Sequence, residues 1–327
     1  MEIISYTDQW RDKLLEFMMS NYPNRSENFL KWAITGIEED AESQKRTFLI
    51  VSEDKIFGCT LALPLKFRIE GKENIYTSKF NTIISSEIRG MGLGKKLFEK
   101  RYTDNKESFS IGQTQKAIIL HKKLNDIFVN PVRVYISINF WLLKSLWNTI
   151  RNKRKKSDQD YIFPNSITIN KIDFKKINSS DELDIPKDGY WLDDKIELVR
   201  DKNFIQKRFF DIYQKYHVYR DFDNTCYFII RSTYVNGVEM FSLVDYRVRN
   251  SQQEKNIFQA AVHITQINRV GAMITLSSKK HSLLRFFPLT IRLSKKLSVS
   301  TAMTIFKPDE KIFITSADSD LDFVYYK

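Results

Sequence analysis

The feature that most constrains this chain is a glycine-rich segment. Residues 85–100 read SSEIRGMGLGKKLFEK and hold three of the ten glycines, at positions 90, 92 and 94. Glycine has no Cβ, so it adopts positive φ angles and allows close approach to the backbone, at a high entropic cost on ordering. Because an apolar strand pattern precedes the glycines and the helical pattern LGKKLFEK follows, we predict a tight turn from a strand into a helix that begins near Leu93.

Such a turn suits an anionic ligand. The first turn of a helix carries N–H groups without intrahelical partners, at the positive end of the helix dipole. Glycines here predict a pocket of N–H donors for a phosphate or pyrophosphate, and Arg89, Lys95 and Lys96 add positive charge. The spacing G-x-G-x-G excludes both the Walker loop and the dinucleotide fingerprint G-x-G-x-x-G. A turn used only for tight packing is the alternative.

Composition and charge bound the class of protein. The chain has 327 residues, of which 42% are apolar and 13% aromatic, so two globular domains with substantial cores are expected. The formal net charge of +12 favours anionic partners. Basic residues are spread along the chain and no nucleic-acid-binding motif is present, so no nucleic-acid partner is expected.

Cysteine usage and the N-terminus point to a cytoplasmic protein. Cys59 and Cys226 are isolated and lack metal-ligand spacing, so neither a disulfide framework nor a metal site is expected. The start MEIISYTDQW has neither a basic region nor an apolar signal core. No apolar run approaches the ~20 residues of a membrane span.

The pattern of elements predicts two α/β units. Residues 1–138 read as two helices, a strand meander, the glycine turn and helix, and then strand, helix and strand. Residues 139–188 read as a polar connector, and 189–327 as a second unit with long helices at 201–222, 251–270 and 279–289. The two units resemble a distant repeat, in which Arg247 occupies the place of Arg89 but the glycines are missing.

The segment from Arg89 to Gly94 resembles the R/Q-x-x-G-x-G/A signature of the GNAT superfamily of acyl-CoA N-acyltransferases. The order of elements over residues 1–138 is similar to that family too, and the second unit resembles a degenerate copy. The resemblance implies an α/β (α+β) fold with two GNAT-like domains, each a mixed, mostly antiparallel sheet flanked by helices. It also implies acetyl-CoA as the acyl donor, without a metal.

The resemblance also implies the site residues. The loop amides would hold the coenzyme A pyrophosphate, and the strand before the loop would offer a backbone N–H to the thioester carbonyl. The residues that match these positions are Ile84, Ser85, Arg89, Gly90, Met91, Gly92, Leu93, Gly94 and Lys95.

A second matching stretch gives a candidate acid. The segment AIILHKKLND at 117–126 resembles the family's A-I-x-L-Y-E-K-L-G-F helix, with Asn125-Asp126 in place of Gly-Phe. His121 stands where the family often has a tyrosine that protonates the leaving thiolate, and an imidazole can do the same. A surface or capping histidine is the alternative reading.

The general base is not found. Family enzymes often use a glutamate on the fourth strand, but the corresponding stretch KFNTIISS contains no acid.

The resemblance implies an N-acyltransferase that moves acetyl to a primary amine, such as an amino sugar, by direct attack. A catalytically silent coenzyme A-binding protein and a membrane-surface acyl or aminoacyl transferase are the alternatives.

The connector contains the one candidate membrane-binding segment. Residues 138–156, INFWLLKSLWNTIRNKRKK, combine an apolar helical face with a polybasic run, which suits a helix on an anionic membrane surface. An amphipathic connector packed against the domains is favoured over it. Near the C-terminus, Asp318, Asp320 and Asp322 are read as a solvated acidic tail that alternatively meets an amine.

Overall fold

The chain forms two compact units. A computed structural model of the protein describes residues 1–22, 27–104, 108–139, 147, 161–185, 196–211, 216–235, 238–278, 290–302, 306–308 and 312–318. Unit 1 consists of Met1–Phe67, Glu73–Asn130 and Ser298–Glu310. Unit 2 consists of Arg68–Lys72, Pro131–Leu297 and Lys311–Lys327. Each unit is therefore assembled from separate stretches of the sequence.

Helices and strands alternate through both units. The described helices are α1 (Arg11–Asn21), α2 (Glu27–Glu38), α3 (Ala41–Arg46), α4 (Leu93–Asp104), α5 (Gln115–Lys123), α6 (Lys202–Ile205) and α7 (Ser251–Ile267). None of these is long and apolar enough to cross a bilayer. The strands of the first half are β1 (Glu2–Ser5), β2 (Phe48–Ser52), β3 (Lys55–Ile69), β4 (Lys72–Ile84), β5 (Ser108–Ile111), β6 (Ile127–Phe128) and β7 (Val132–Ile138). Those of the second half are β8 (Ser166–Ile169), β9 (Ile172–Ile177), β10 (Ile196–Leu198), β11 (His217–Asp221), β12 (Tyr227–Val235), β13 (Val238–Arg247), β14 (Ala272–Ser277), β15 (Thr290–Leu297) and β16 (Val299–Thr301).

Two mixed sheets form the centres of the units. The first has the strand order β1-β2-β3-β4-β5-β16-β6, and the second has the order β15-β7-β14-β13-β12-β11-β9-β8. The pairs β4–β5 and β13–β14 are parallel, while pairs such as β1–β2, β2–β3, β11–β12 and β12–β13 are antiparallel. The predicted fold class, two mixed and mostly antiparallel sheets flanked by helices, is confirmed.

The sheets repeat one connection. In each, an antiparallel meander leads into a strand that continues through a helix to a parallel neighbour: β4–α4–β5 in the first and β13–α7–β14 in the second. The next strand comes from elsewhere in the sequence. It is β16 beside β5, and β7 beside β14. Residues 131–138, placed at the end of the first unit by the sequence, thus pair within the second sheet.

The predicted amphipathic helices bury the expected faces. In α2 the side chains spaced for one face, Phe29, Leu30, Ile34 and Ile37, are fully buried. In α4, Leu97 packs into a cluster with Phe48, Ile50 and Ile88. Burial of each such side chain contributes about 1.5–3 kcal/mol, so these stripes fix the helices that flank the first sheet.

One predicted helix is wrong in its last part. The pattern at 201–222 predicted a single helix, but α6 ends at Ile205, a π-helical turn follows over Gln206–Phe210, and 217–221 form β11. Strand β11 pairs with β12 on one side and β9 on the other, and both Val218 and Tyr219 are buried. Tertiary pairing therefore overrides the helical spacing of this segment.

The predicted connector contains ordered structure. Strands β8 and β9, within 139–188, form a hairpin that extends the second sheet next to β11. The candidate membrane-binding helix at 138–156 lies outside the described residues except for Ile138, Asn139 and an exposed Trp147. The predicted helix at 279–289 and the acids Asp320 and Asp322 also lie outside them.

In the second unit, residues 312–318 occupy the place where β13 and β14 stop pairing. Pairing of β13 with β14 covers Phe241↔Met273 to Leu243↔Thr275, whereas β13 runs on to Arg247. Residues 312–318 lie against these strand ends. The Ile314 carbonyl accepts from the Ser278 amide at 3.0 Å, and Thr315 bridges to Ser277.

A buried network of ion pairs holds residues 312–318 in place. Asp245 accepts from Arg200 Nε at 2.9 Å, from Arg247 Nη1 at 2.7 Å and from Thr315 Oγ1 at 2.7 Å. Arg200 also binds Asp318, which is buried rather than part of a solvated tail. Burial alone raises the pKa of Asp245, but Arg200 and Arg247 outweigh it, so the pKa lies below its usual range.

Replacing Asp245 should destabilise the protein strongly. Asp245→Ala leaves Arg200 and Arg247 buried with one carboxylate fewer, and breaking a buried ion pair in this way costs about 3–5 kcal/mol. We expect that loss in the free energy of unfolding measured by urea titration. Asp173→Ala, which changes an exposed carboxylate on β9, is the control and should cost no more than about 0.5 kcal/mol. Equal stability of the two variants would contradict the role given to the network.

Candidate functional site

The site begins where the parallel strands β4 and β5 part. Their pairing covers Thr77↔Ser108 and Ser78↔Phe109, while β4 continues to Ile84 and β5 to Ile111. Among the described residues, the two strands share no later pair. Asn81 in this part of β4 has a positive φ of 44°, which is unusual for an asparagine in a strand. This part of β4 is therefore irregular.

Neighbouring side chains hold the irregular position. The Tyr22 hydroxyl, at the end of α1, donates to Asn81 Oδ1 at 3.2 Å. Cys59 Sγ lies 3.9 Å from the Asn81 carbonyl, and burial raises the pKa of this thiol to about 12. A thiol with that pKa is a poor nucleophile at neutral pH.

The glycine loop follows β4 directly and makes the predicted turn. Gly90 and Gly92 have φ angles of +91° and +74°, the left-handed region that glycine reaches without strain. The loop is held by a 3.3 Å hydrogen bond from the Met91 amide to the Ile88 carbonyl, and the Lys96 amide donates to the Gly92 carbonyl at 3.1 Å. Helix α4 then begins at Leu93 as predicted.

The loop leaves a run of amide hydrogens available. Within the part of the chain that the structure describes, the amides of residues 92–95 donate to no protein acceptor. The side chains of Arg89, Met91, Lys95 and Lys96 are exposed, and a Cβ built on Gly90 or Gly92 would have no atom within 4 Å. These donors lie at the positive end of α4, where an anion could accept from them, and we call them the amide cradle.

Gly94 and Gly58 have the other role, tight packing. A Cβ at Gly94 would lie 3.2 Å from Ile84 Cγ1, and one at Gly58 would lie 2.9 Å from the Cδ1 atoms of Ile50 and Ile84. These glycines let α4 and β3 approach the end of β4. The tight-packing alternative therefore applies to Gly94 within the glycine segment, whereas Gly90 and Gly92 face open space.

The other predicted loop residues are placed as follows. Arg89 is exposed, and its Nε donates to the Ile84 carbonyl at 3.3 Å, so its side chain lies back over the end of β4. Lys95 is exposed and pairs with Glu99 at 3.5 Å. The Ser85 amide donates to the Phe57 carbonyl at 2.8 Å, so it is committed to the sheet and not to a ligand.

Helix α5 ends in a way that the sequence alone made uncertain. Thr114 caps its start, accepting from the Ala117 amide at 3.3 Å. At its end Asn125 has φ +60°, and the amides of Asp126 and Asn125 donate to the carbonyls of His121 and Lys122, respectively. This is a Schellman motif in which asparagine takes the left-handed position that the family pattern gives to glycine.

The Schellman turn brings Asp126 back to His121. The His121 ring is 3% exposed, its Nδ1 is hydrogen-bonded to Asp126 Oδ2, and its edge contacts the Phe98 ring at a centroid distance of 5.2 Å. Burial lowers the pKa of His121 below its usual value; the Asp126 hydrogen bond opposes this, and the charges of Lys79 and Arg101 add to it. His121 is therefore a buried, oriented imidazole rather than a surface or capping residue.

Two further charged residues complete a buried cluster that sequence reasoning missed. Lys79 Nζ on β4 lies 3.8 Å from Asp126 Oδ2, and the Ser300 hydroxyl donates to the same oxygen at 3.3 Å. Arg101 on α4 donates to Thr82 Oγ1 at 3.1 Å and to the Leu61 carbonyl at 3.2 Å. Burial lowers the pKa of Lys79 to about 8, although Asp126 opposes the shift. We call Lys79, Arg101, His121 and Asp126 the β4–α5 cluster.

No signal in the sequence marked Lys79, because a lysine on a strand is usually solvated. Asp126 carried a weak signal, since it stands next to an asparagine at a helix end. In the described residues no three His, Cys, Asp or Glu side chains converge as metal ligands would.

At the corresponding place in the described residues of the second unit, the helix start is capped. Helix α7, which follows β13 as α4 follows β4, is capped by Asn250, whose side chain accepts from the Gln253 amide at 2.9 Å. Gln253 in turn accepts from the Arg249 amide at 2.7 Å. The third amide of α7 is therefore bonded to a side chain, whereas that of Lys95, its counterpart in α4, has no such partner among the described residues.

Comparison with solved structures identifies the fold. The chain is similar to a GCN5-related N-acetyltransferase from Anabaena variabilis, with a TM-score of 0.60 and 12% identity over 92% of this chain and 73% of that one. It is also similar to Saccharomyces cerevisiae N-myristoyltransferase with bound myristoyl-CoA, with a TM-score of 0.56 and 12% identity over 95% of this chain and 84% of that one.

A third similar structure is a probable N-acyltransferase of unknown function from Enterococcus faecalis, with a TM-score of 0.54 and 11% identity over 92% of this chain and 72% of that one. No protein-family model matches the sequence, and no curated protein matches it. The predicted resemblance is confirmed for the fold: the chain has the GNAT fold in a two-sheet arrangement.

The Schellman turn gives a direct test of how Asp126 is positioned. Asn125→Ala forces an alanine into the left-handed region, which costs about 1–2 kcal/mol, whereas Asn125→Gly removes that strain. We expect the alanine variant to lose stability in thermal unfolding, and the glycine variant to match or exceed the natural protein. Equal melting temperatures for all three would mean that residue 125 does not hold the turn.

Proposed function

We propose that the protein is an acyl-CoA-dependent N-acyltransferase whose site lies in the first unit. Three features found together support this proposal: a parallel strand pair that diverges, a loop whose backbone amides are available, and the GNAT fold. The amides of residues 92–95, with Arg89 and Lys95, would hold the coenzyme A diphosphate. The available donors and the open space at Gly90 and Gly92 fit such a group.

The acyl group and the acceptor are finer proposals. Acetyl is our first choice and a primary amine the acceptor, with an amino sugar as the first candidate because the net charge of +12 favours anionic, for example phosphate-linked, ligands. Two of the similar structures are an N-acetyltransferase and an N-myristoyltransferase, so acyl chain length has to be tested over that range.

The chemistry requires little more than alignment and two proton transfers. A thioester is already activated, so the protein has to place the amine against its carbonyl carbon, remove a proton from nitrogen and supply one to sulfur. We propose His121 for the second transfer. Its burial and fixed ring orientation support a chemical role, and its imidazolium form would carry the proton on Nε2.

A catalytically silent coenzyme A-binding protein is the second candidate. The described residues 79–84 of β4 include no Asp or Glu, so the usual position of the base carries no acid. Such a protein would bind the donor through the same loop but would not release thiol. The two candidates differ only in turnover.

Donor binding can be tested at the loop with a matched pair of glycines. Gly92→Ala and Gly71→Ala both place an alanine at a positive φ, +74° and +82°, and neither new Cβ meets an atom within 4 Å. Their backbone strain is therefore comparable, but only residue 92 lies in the cradle. We expect calorimetric titration with acetyl-CoA to show at least about tenfold weaker binding for Gly92→Ala, about 1.4 kcal/mol, and no change for Gly71→Ala. Equal affinity of both variants would place the donor elsewhere.

Turnover separates the enzyme from the silent binder. We expect thiol release from acetyl-CoA with at least one member of a panel of primary amines and amino sugars. His121→Gln, which can still donate to Asp126, should lower kcat about 100-fold without changing donor affinity. Donor binding without any thiol release would favour the silent binder.

A further inference from the structure

Lys79 occupies the position on β4 where the strand pair opens. It is the residue directly after Ser78, whose pairing with Phe109 is the last between β4 and β5. Its side chain is only 4% exposed. A lysine this deeply buried is rare, and burial of an ammonium group is costly unless a partner compensates.

Asp126 connects Lys79 to His121 across the end of β5. Oδ2 of Asp126 is 3.8 Å from Lys79 Nζ, contacts His121 Nδ1, and accepts from Ser300 on β16. Strands β4 and β16 are the two neighbours of β5, so these contacts lie on both sides of it. One carboxylate thus joins two titratable groups at the place where the site opens.

Among the described residues, two cations face this carboxylate. They are Lys79 and Arg101, and the charge of each lowers the pKa of His121. Cys59 lies near Arg101 but its thiol is neutral at physiological pH, because burial raises its pKa. An excess of positive charge favours release of a proton from the cluster, and groups this close titrate as a pair.

We propose that Lys79 is the second proton-transfer residue of the site and forms, with His121, a pair that shares one exchangeable proton across Asp126. This inference rests on the proposed acyltransferase function. Lys79 would be the general base that the sequence analysis did not find. It lies on β4, the strand on which family enzymes often carry a glutamate.

The step balances as follows. In the active form His121 carries the shared proton on Nε2, and Lys79 is a neutral amine. The acceptor nitrogen forms a bond to the thioester carbonyl carbon and the carbon–sulfur bond breaks. His121 gives its proton to the sulfur, and Lys79 Nζ takes one from the acceptor nitrogen. The pair again holds one proton, now on Lys79, and its return to His121 completes the cycle.

This arrangement has a defined pH dependence. The active form contains one proton on the pair, so activity falls at low pH, where both groups are protonated, and at high pH, where neither is. In the pH–rate profile, the fall in activity at high pH (the upper limb) should be centred near pH 8, the lowered pKa of Lys79. The fall at low pH (the lower limb) should lie below pH 6.5, since the pKa of His121 is lowered.

The test combines three variants with full kinetics at saturating donor and amine. Lys79→Arg keeps the charge but cannot deprotonate near pH 8, and Lys79→Met removes both functions. Lys66→Met, on the adjacent strand β3, removes a half-exposed lysine paired with Glu73 and serves as control. We expect about a 100-fold lower kcat and loss of the limb near pH 8 for both Lys79 variants, with acetyl-CoA affinity changed less than about twofold.

A second measurement does not depend on turnover or on a variant that folds. In the natural protein with isotope-labelled lysine and histidine, NMR titration should show Lys79 and His121 following the same two macroscopic steps, one of them near pH 8. An unshifted Lys79, titrating near the ordinary value of about 10.4, would overturn the pairing.

The outcomes separate the two proposals. Thiol release by Lys79→Arg at the natural rate, with the limb near pH 8 intact, overturns the role of Lys79 and leaves the acyltransferase function standing. Absence of thiol release from the natural protein, despite acetyl-CoA binding, overturns the acyltransferase function, and the assignment to Lys79 falls with it.

Discussion

The first unit depends on the separation of two parallel strands. Strands β4 and β5 are joined by the crossover helix α4 and pair over only two residue positions before they diverge. Strand β4 runs on beyond this pairing to Ile84, and the glycine loop then leads into the start of α4. In open α/β sheets, ligands bind at such points because backbone groups and helix termini converge there. The cradle and the β4–α5 cluster both lie along this short stretch of strand.

The second unit has the same connection but no comparable opening. Strands β13 and β14 diverge in the same way, yet residues 312–318 occupy the space and Arg200, Asp245 and Asp318 fix them there. Asn250 caps α7 by accepting from the Gln253 amide. The same strand–helix–strand connection thus leads through an open turn in the first unit, whereas in the second it adjoins a buried, ion-paired segment. Local sequence, more than fold, makes this difference.

Much of the first unit could be predicted because its signals are local. The glycine turn, the start of α4 at Leu93 and the two N-terminal helices follow from neighbouring residues, and the structure shows them where expected. The GNAT-like order of elements could be read for the same reason. Such features depend on spacings of a few residues, which the sequence displays directly.

The site's polar core could not be predicted in the same way. His121 and Asp126 are five residues apart, and a continued helix would not bring them together; only the left-handed Asn125 reverses the chain so that they meet. Lys79 meets Asp126 through packing between elements 47 positions apart in the sequence. The placement of β7 and β16 depends on pairing between segments more than a hundred residues apart, for which no local pattern exists.

Strand β7 comes from the first half of the sequence but pairs in the second sheet, and β16 comes from the second half but pairs in the first. This arrangement affects how the chain folds during synthesis. The first sheet receives β16 only when residues 299–301 have been made, so β5 and β6 lack their shared neighbour until almost the whole chain has left the ribosome. Contacts of such long sequence separation slow folding and expose strand edges in the interval. The first sheet of the nascent chain therefore remains incomplete until this strand has been synthesised. For the same reason, the first unit cannot be separated from the rest by cutting the gene at a single boundary.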